Sequence, residues 1–376
     1  MNLALTADQR LFQDATRDFL AGTVPLTTVR ALGESGTGID RAWWRRGAEL
    51  GWTAPLVPES LGGGSVSGRP LTELAIIAGE FGRACAPGPL ATTSAVLAGL
   101  VRAGERFAAP LAAITAGASI AAWALYEPGR GLDLSVPECL ATPDGKGYRL
   151  TGVKDRVEYG DDADLFLVTA HSSDGPLQLL IPATAPGVSV TRTWTLDLVR
   201  TTASIEFTDV AVGSEGVVHR GPAAAAAARA QLQVASTLTA VEMVGATGRA
   251  FDVTVGWMFD RYTFGRPLAS YQALKHRMAD NKTWLEACRA TAWAAAAAWD
   301  DAAESAPECA AVAKAYVGDR APVIVQDCVQ LHGGIGVTWE HDLHLYLRRV
   351  TLGRALYGTP EEQYRRITEF LEQTAA

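Results

Sequence analysis

Two runs of residues in this chain have the types and spacing to do chemistry. Gln330 to Arg349 reads QLHGGIGVTWEHDLHLYLRR, coupling a glutamine and the glycines Gly333, Gly334 and Gly336 to a predicted helix that ends in paired arginines. Glycine has no Cβ, so such a run lets the backbone press against a flat or charged ligand and offer its N–H groups. Upstream lies Arg261-Tyr262-Thr263-Phe264-Gly265-Arg266-Pro267, followed by Gln272 and Lys275-His276-Arg277-Met278-Ala279-Asp280. Either run by itself also reads as a helix C-cap with a surface arginine. Their joint presence, in this order near the C-terminus, is the informative signal.

Helices must position both runs. After Pro222 the pattern predicts long helices over Ala224 to Tyr262, Leu268 to Asp301, Glu308 to Gly333 and Trp339 to Leu356, with joints short enough for an antiparallel bundle. Thr359-Pro360-Glu361-Glu362 then supplies an N-cap, a proline at the first helical position and acidic residues in the first turn of a last helix. The first third is helical too. Thr6 and Gln9 form a capping box, and Leu11, Phe12, Ala15 and Phe19 fall on one face. Trp43-Trp44 and Leu50 suggest a second helix broken at Gly51, Pro58 to Gly64 a loop, and Leu71 to Cys85 and Thr92 to Ala103 further helices. From Ser119 the period changes to two. Ala121 to Tyr126, Gly147 to Thr151, Asp164 to Thr169, Leu177 to Ile181 and Ser204 to Phe207 read as strands of a small barrel or sandwich, separated by Asp-Gly type turns. The expected fold is mostly α with a central β domain: an N-terminal helical domain over 1–118, a middle β domain over 119–222 and a C-terminal bundle over 223–376.

Composition narrows the function classes. The chain has 376 residues, 48% of them hydrophobic, which is ample for packed cores and argues against disorder. A net charge of −8 and a pI of 5.4 disfavour a nucleic-acid or anionic-membrane surface. Five scattered cysteines with no C-x-x-C spacing read as reduced thiols of a cytoplasmic protein. No signal peptide is visible, and no apolar run reaches membrane-spanning length.

The two runs, with the order helices, strands, helices, resemble the acyl-CoA dehydrogenase family over essentially the whole chain. The resemblance implies FAD as cofactor, an acyl-CoA thioester as substrate and an electron-transfer flavoprotein as electron acceptor. In the family the bundle drives dimerisation, and one subunit reaches over to hold the ADP part of its neighbour's FAD. That carries Arg261 to the pyrophosphate, Phe264 to packing along the dinucleotide, and Gln330, Gly333 and Gly334 to the adenosine end. The residue chemistry agrees, since a guanidinium gives phosphate bidentate donors and glycines permit close approach.

Elsewhere the family pattern fails. The middle domain normally supplies Thr-Glu-Pro-Gly-x-Gly-Ser-Asp, but here the segment is Tyr126-Glu127-Pro128-Gly129-Arg130-Gly131-Leu132-Asp133. Glu127, Pro128, Gly131 and Asp133 match, while both hydroxyl positions have become bulkier Tyr126 and Leu132. In Gly-x-Lys-x-Trp-x-(Thr or Ser) the last two positions are here Arg156 and Glu158. A carboxylate there would oppose negative charge building on a reduced flavin ring. Dehydrogenation also needs a carboxylate to take the α-proton of the thioester. Most of the family carries it just before the Gly-Thr that opens the last helix, where this chain has Tyr357. A minority place it 29 residues before the motif phenylalanine, and 29 residues before Phe264 stands Ala235. Glu242, two turns along that helix, is the remaining acid that could face a cavity as a substitute base.

The histidines His332, His341 and His344 are close in sequence, but Glu340 and Asp342 fall on other helical faces, so no metal site is expected. No G-x-S-x-G or Ser/His/Asp signature supports a hydrolase, and Gly62-Gly63-Gly64 follows no strand. The pattern of kept and lost residues implies one subunit of a heterotetrameric acyl-CoA dehydrogenase acting on an acyl group such as a steroid side chain. An acyl-CoA dehydrogenase-type partner subunit would supply the glutamate and the ring pocket, while this chain clamps the partner's FAD. Two alternatives stay open: a self-sufficient homotetramer with a relocated base such as Glu242, and a flavin monooxygenase on the same fold.

Overall fold

A computed structural model describes residues 5–132 and 137–375. Six helices come first: α1 (Ala7–Thr23), α2 (Leu26–Ser35), α3 (Arg41–Glu49), α4 (Pro70–Ala84), α5 (Leu90–Ala103) and α6 (Ala108–Thr115). The expected capping box starts α1, with Thr6 Oγ1 accepting from Gln9 N–H and Gln9 Oε1 accepting from Thr6 N–H. Phe19, Trp43, Trp44, Trp52 and Phe81 pack edge-on and tilted around one another and tie α3 and α4 to α1.

Eight strands follow: β1 (Ala121–Ala124), β2 (Leu140–Asp144), β3 (Gly147–Glu158), β4 (Leu165–Ser172), β5 (Gly175–Pro182), β6 (Val188–Thr193), β7 (Thr202–Val212) and β8 (Val217–Arg220). They pair in the order β6-β7-β3-β2-β4-β5-β8, with β1 added beside β4. β2, β6 and β8 are strands that the alternation does not predict, and β3 runs to Glu158 rather than ending at Thr151. Two bulges bend β3, between Leu150 and Gly152 and between Lys154 and Val157. Gly152 is required at the first, because its φ is +148° and a Cβ would lie 2.8 Å from the Cα of Cys139. At the second, Arg156 takes a left-handed φ of +50°.

The C-terminal half is helical. The 40-residue α7 (Gly221–Asp260) runs through the centre of the molecule, and its alanine-rich length lets neighbours approach from several sides. Side chains at Gly82 and Gly245 would collide with the facing backbone of Glu242 and Gly79, so α4 and α7 cross at glycine distance. A two-strand ribbon of β9 (Tyr262–Thr263) and β10 (Arg266–Pro267) leads to α8 (Gln272–Asp300), α9 (Ala306–His332), α10 (Leu343–Ala355) and α11 (Pro360–Ala375). α10 begins at Leu343 rather than Trp339. The fold is therefore mostly helical around a central sheet domain, as expected. No described helix is long and apolar enough to cross a membrane, and all five cysteines are free.

Candidate functional site

The expected ligand-holding residues lie at one end of the bundle and face outward. The backbone of Arg261 caps α7, its N–H donating to Trp257 O at 2.8 Å. Beyond it the β9–β10 ribbon turns through Phe264 and Gly265, both with positive φ (+49° and +77°), as a two-residue hairpin of this twist requires. Phe264 is 95% exposed, so a large ring is displayed on a strained backbone without a packing reason inside this chain. The display is braced: Leu268 N–H donates to Arg261 O, Tyr271 Oη donates to Thr263 O, and the Arg266 guanidinium lies 3.9 Å above the Tyr271 ring. Gln330 is exposed on the last turn of α9. Gly333 ends that helix with a φ of +65°, and a Cβ at Gly333 or Gly334 would meet nothing within 4 Å. All five residues are exposed, at or just beyond the C-terminal ends of α7 and α9.

The other half of the expected site is closed. Tyr126, Glu127, Arg130, Gly131, Leu132 and Thr169 leave a void of about 10 Å3 among the described residues. That is about the space of one water molecule. The Arg156 guanidinium covers the Tyr126 ring at 4.6 Å and donates to the carbonyls of Glu127 and Arg130. Tyr126 Oη accepts from Gly358 N–H. Glu362 seals the loop to α11, its two carboxylate oxygens accepting from Leu132 N–H and Thr359 N–H. Asp133, the last match in that segment, lies outside the described residues.

The candidate base positions are also sealed. Ala235 is fully buried in α7, and Tyr357 is 3% exposed. The Tyr357 ring stacks on Trp123 with centroids 6.2 Å apart and planes 13° apart. Burial first, and then the Glu158 carboxylate, push its phenol well above the usual range, so it stays protonated. Glu242 is not a free cavity acid, which corrects the expectation that it faces a cavity without a partner. One oxygen lies 2.6 Å from Arg349 Nη1 and the other 3.0 Å from Arg200 Nη1.

Those contacts belong to a larger buried network that the sequence reading missed. Asp197 pairs with Arg349, Arg349 with Glu242, Glu242 with Arg200, and Arg200 with Glu158. Burial would raise the Asp197 pKa, but the Arg349 charge and hydrogen bonds outweigh it and hold the carboxyl below its usual range. Arg349 also donates to the carbonyls of Cys85 and Ala86, so its guanidinium is fully used. A signal for it was available, because Arg349 sits in register with the apolar positions Leu345, Tyr346 and Val350 of α10. Glu158 is therefore not a bare carboxylate; a guanidinium neutralises it.

Among the described residues no group of three or more His, Cys, Asp or Glu could hold a metal ion. His332 and His341 do meet, with ring centroids 4.6 Å apart, while His344 stacks on Trp339 instead.

Comparison with known proteins accounts for this arrangement of helices, sheet and bundle. Residues 6–107, 122–210 and 225–372 match the N-terminal, middle and C-terminal domains of acyl-CoA dehydrogenase respectively. The chain is 30% identical over 363 residues to Acyl-CoA dehydrogenase IpdE2 of Mycobacterium tuberculosis, with 96% of each chain covered. Among solved structures it is similar to a chain of the Tcur3481-Tcur3483 steroid ACAD variant, at 30% identity, a TM-score of 0.88 and 98% coverage of both chains. It is also similar to a chain of the ChsE4-ChsE5 complex from Mycobacterium tuberculosis, at 27% identity, a TM-score of 0.88 and 100% coverage of both.

Proposed function

This chain belongs to the acyl-CoA dehydrogenase family, and from that premise we propose that it is the non-catalytic subunit of a heterotetrameric acyl-CoA dehydrogenase. FAD is the cofactor. The donor set here suits its ADP half: an exposed guanidinium at Arg261, an exposed ring at Phe264, and Gln330 beside the uncovered backbone of Gly333 and Gly334. The residues do not suit the isoalloxazine, because Tyr126, Arg156 and Leu132 replace the groups that the family pattern would offer a ring, and only a water-sized void remains beside Tyr126 and Leu132. The single observation that carries the proposal is this opposition within one chain: exposed residues suited to the ADP half, and a cleft closed by its own side chains.

When bound, FAD supplies the acceptor for the β-hydride of the acyl-CoA. In this reading the partner subunit supplies the ring pocket and the glutamate that removes the α-proton. This chain's residues bind and orient: Arg261 neutralises pyrophosphate charge, Phe264 shields the dinucleotide from water, and Gly333 and Gly334 admit it to their N–H groups. In the buried network from Asp197 to Glu158, Glu242 serves as a bridging carboxylate rather than as a relocated base. The similarity to steroid ACAD and ChsE4-ChsE5 chains supports a two-chain assembly and a steroid-derived acyl group. Electrons then pass to an electron-transfer flavoprotein.

The test is the flavin-to-chain ratio of the protein purified alone, read with its mass by light scattering. Little flavin alone, rising to one FAD per two chains with a glutamate-bearing relative, is expected. One FAD per chain in a homotetramer would overturn the reading.

A further inference from the structure

The two halves of the clamp come from different helices, Arg261 from the end of α7 and Gly333-Gly334 from the end of α9. One side chain touches both. The indole of Trp257, one turn before Arg261, has the Arg261 guanidinium 5.8 Å from its ring centroid. The same indole stacks on His332, the residue next to Gly333, with centroids 5.0 Å apart and planes 15° apart. His341 packs against His332 in turn, and Arg30 of α2 pairs with the adjoining Asp342 and donates to Glu340 O.

We propose that Trp257 is the positioning residue that couples the two halves of the clamp, setting the placement of Arg261 relative to Gly333 and Gly334. The inference rests on the clamp reading above. Hydrogen bonds do not make this junction. His332 uses Nδ1 on Cys328 O within its own helix, while its Nε2 and Trp257 Nε1 are buried without partners. What joins α7 to α9 here is ring stacking on one contact and cation–π attraction on the other, both dependent on the aromatic face. An aliphatic side chain of similar bulk would fill part of the space yet orient neither neighbour.

The test uses the assembled two-chain enzyme, stripped of flavin, with FAD affinity read by flavin fluorescence and kcat read at saturating FAD. Trp257→Leu is expected to weaken FAD binding about tenfold through loss of both aromatic contacts, with kcat at saturation unchanged. Trp257→Phe, which keeps a face, is expected to restore most of the affinity. His332→Ala, the second variant should the first not assemble, is expected to weaken FAD in the same way. Leu150→Ala, in the core of the β domain, is the control for general loosening and leaves FAD affinity unchanged. Arg261→Ala separates the two levels. If Arg261→Ala weakens FAD while Trp257→Leu and His332→Ala do not, the coupling is wrong and the clamp survives. If Leu150→Ala matches Trp257→Leu, the effect is general loosening and the coupling is wrong. If Arg261→Ala has no effect, the clamp reading itself fails and this inference falls with it.

Discussion

Tyr357 lies against Trp123 as a buried parallel stack, planes 13° apart, at the position where the family resemblance leads one to expect a catalytic glutamate. The stack is held from behind. Gln363 Nε2 donates to Tyr357 O, Gly358 N–H donates to Tyr126 Oη, and Lys314 Nζ donates to Gly358 O at 2.7 Å. A glutamate substituted here would lose the stack and place a second carboxylate near Glu158 in a dry site. Tyr357→Glu is therefore expected to lose about 3 kcal/mol or more of stability by urea unfolding, from the cavity and the unpaired charge together. It gains no dehydrogenase turnover. A stable Tyr357→Glu chain that oxidised an acyl-CoA by itself would count against the closed cleft.

Glu242 separates a structural from a catalytic role more directly. Its carboxylate bridges two guanidiniums in a buried site, so Glu242→Gln leaves Arg200 and Arg349 short of one negative charge. Breaking a buried pair in this way costs about 3–5 kcal/mol. The expected result is a drop in thermal midpoint of several degrees in this chain alone. A relocated base would behave in the opposite way, with an unchanged midpoint and abolished turnover.

The sequence made the helices more legible than the sheet, for a physical reason visible in particular elements. The capping residues Thr6 and Gln9, and Thr359 and Glu362, mark helix starts locally, and all four make those bonds. β6 is hard to read, because its Val188-Ser189-Val190-Thr191 alternation is short, its residues are mostly exposed, and its order comes from pairing along β7. β3 escapes its pattern at Gly152 and Arg156, where bulges shift the face that each side chain takes. The site divides in the same way. Residue identities at Tyr357, Arg156 and Glu158 already depart from the family pattern, because that departure is a matter of residue type alone. That Asp197, Glu242 and Arg349 meet in one network could not be read, since the first and last are 152 positions apart. Spacing also placed Trp339 and His341 on a helix. They lie instead in the turn before α10, with Trp339 Nε1 donating to Glu34.

Lys314 gives a pH dependence with a definite sign. Its ammonium is fully buried on α9 and donates to the carbonyls of Arg354 and Gly358, with no carboxylate among the described residues bonded to it. Burial, reinforced by the Arg354 charge, pulls its pKa down to about 7 from 10.5. Between those values the unfolded chain holds a proton that the folded chain has released. Stability from this group is thus complete above 10.5 and is lost as pH falls toward about 7. The slope within the window is on the order of 1.4 kcal/mol per pH unit at most. In Lys314→Met that component disappears, so the difference in unfolding free energy between the two proteins changes steadily from pH 7.5 to 9.5, then flattens below about 7. Parallel profiles for the two proteins would show that Lys314 keeps an ordinary pKa.

Phe264 carries the sharpest separation between what the chain needs and what the assembly needs. Its ring is 95% exposed and its φ is +49°, so the side chain adds backbone strain and gives this chain almost no burial in return. Relief of left-handed strain by Phe264→Gly is worth about 1 kcal/mol, and the extra freedom of glycine in the unfolded chain costs about the same. The isolated subunit should therefore keep its thermal midpoint. In the proposed assembly the ring would have a ligand face to cover, and its removal is expected to weaken FAD about tenfold, comparable to losing one aromatic contact. Titration of FAD into the apo-complex and a melt of the single chain make the comparison. An unchanged FAD affinity would mean that the exposed ring serves some other contact, whereas a lower midpoint in the single chain would mean that the turn depends on it.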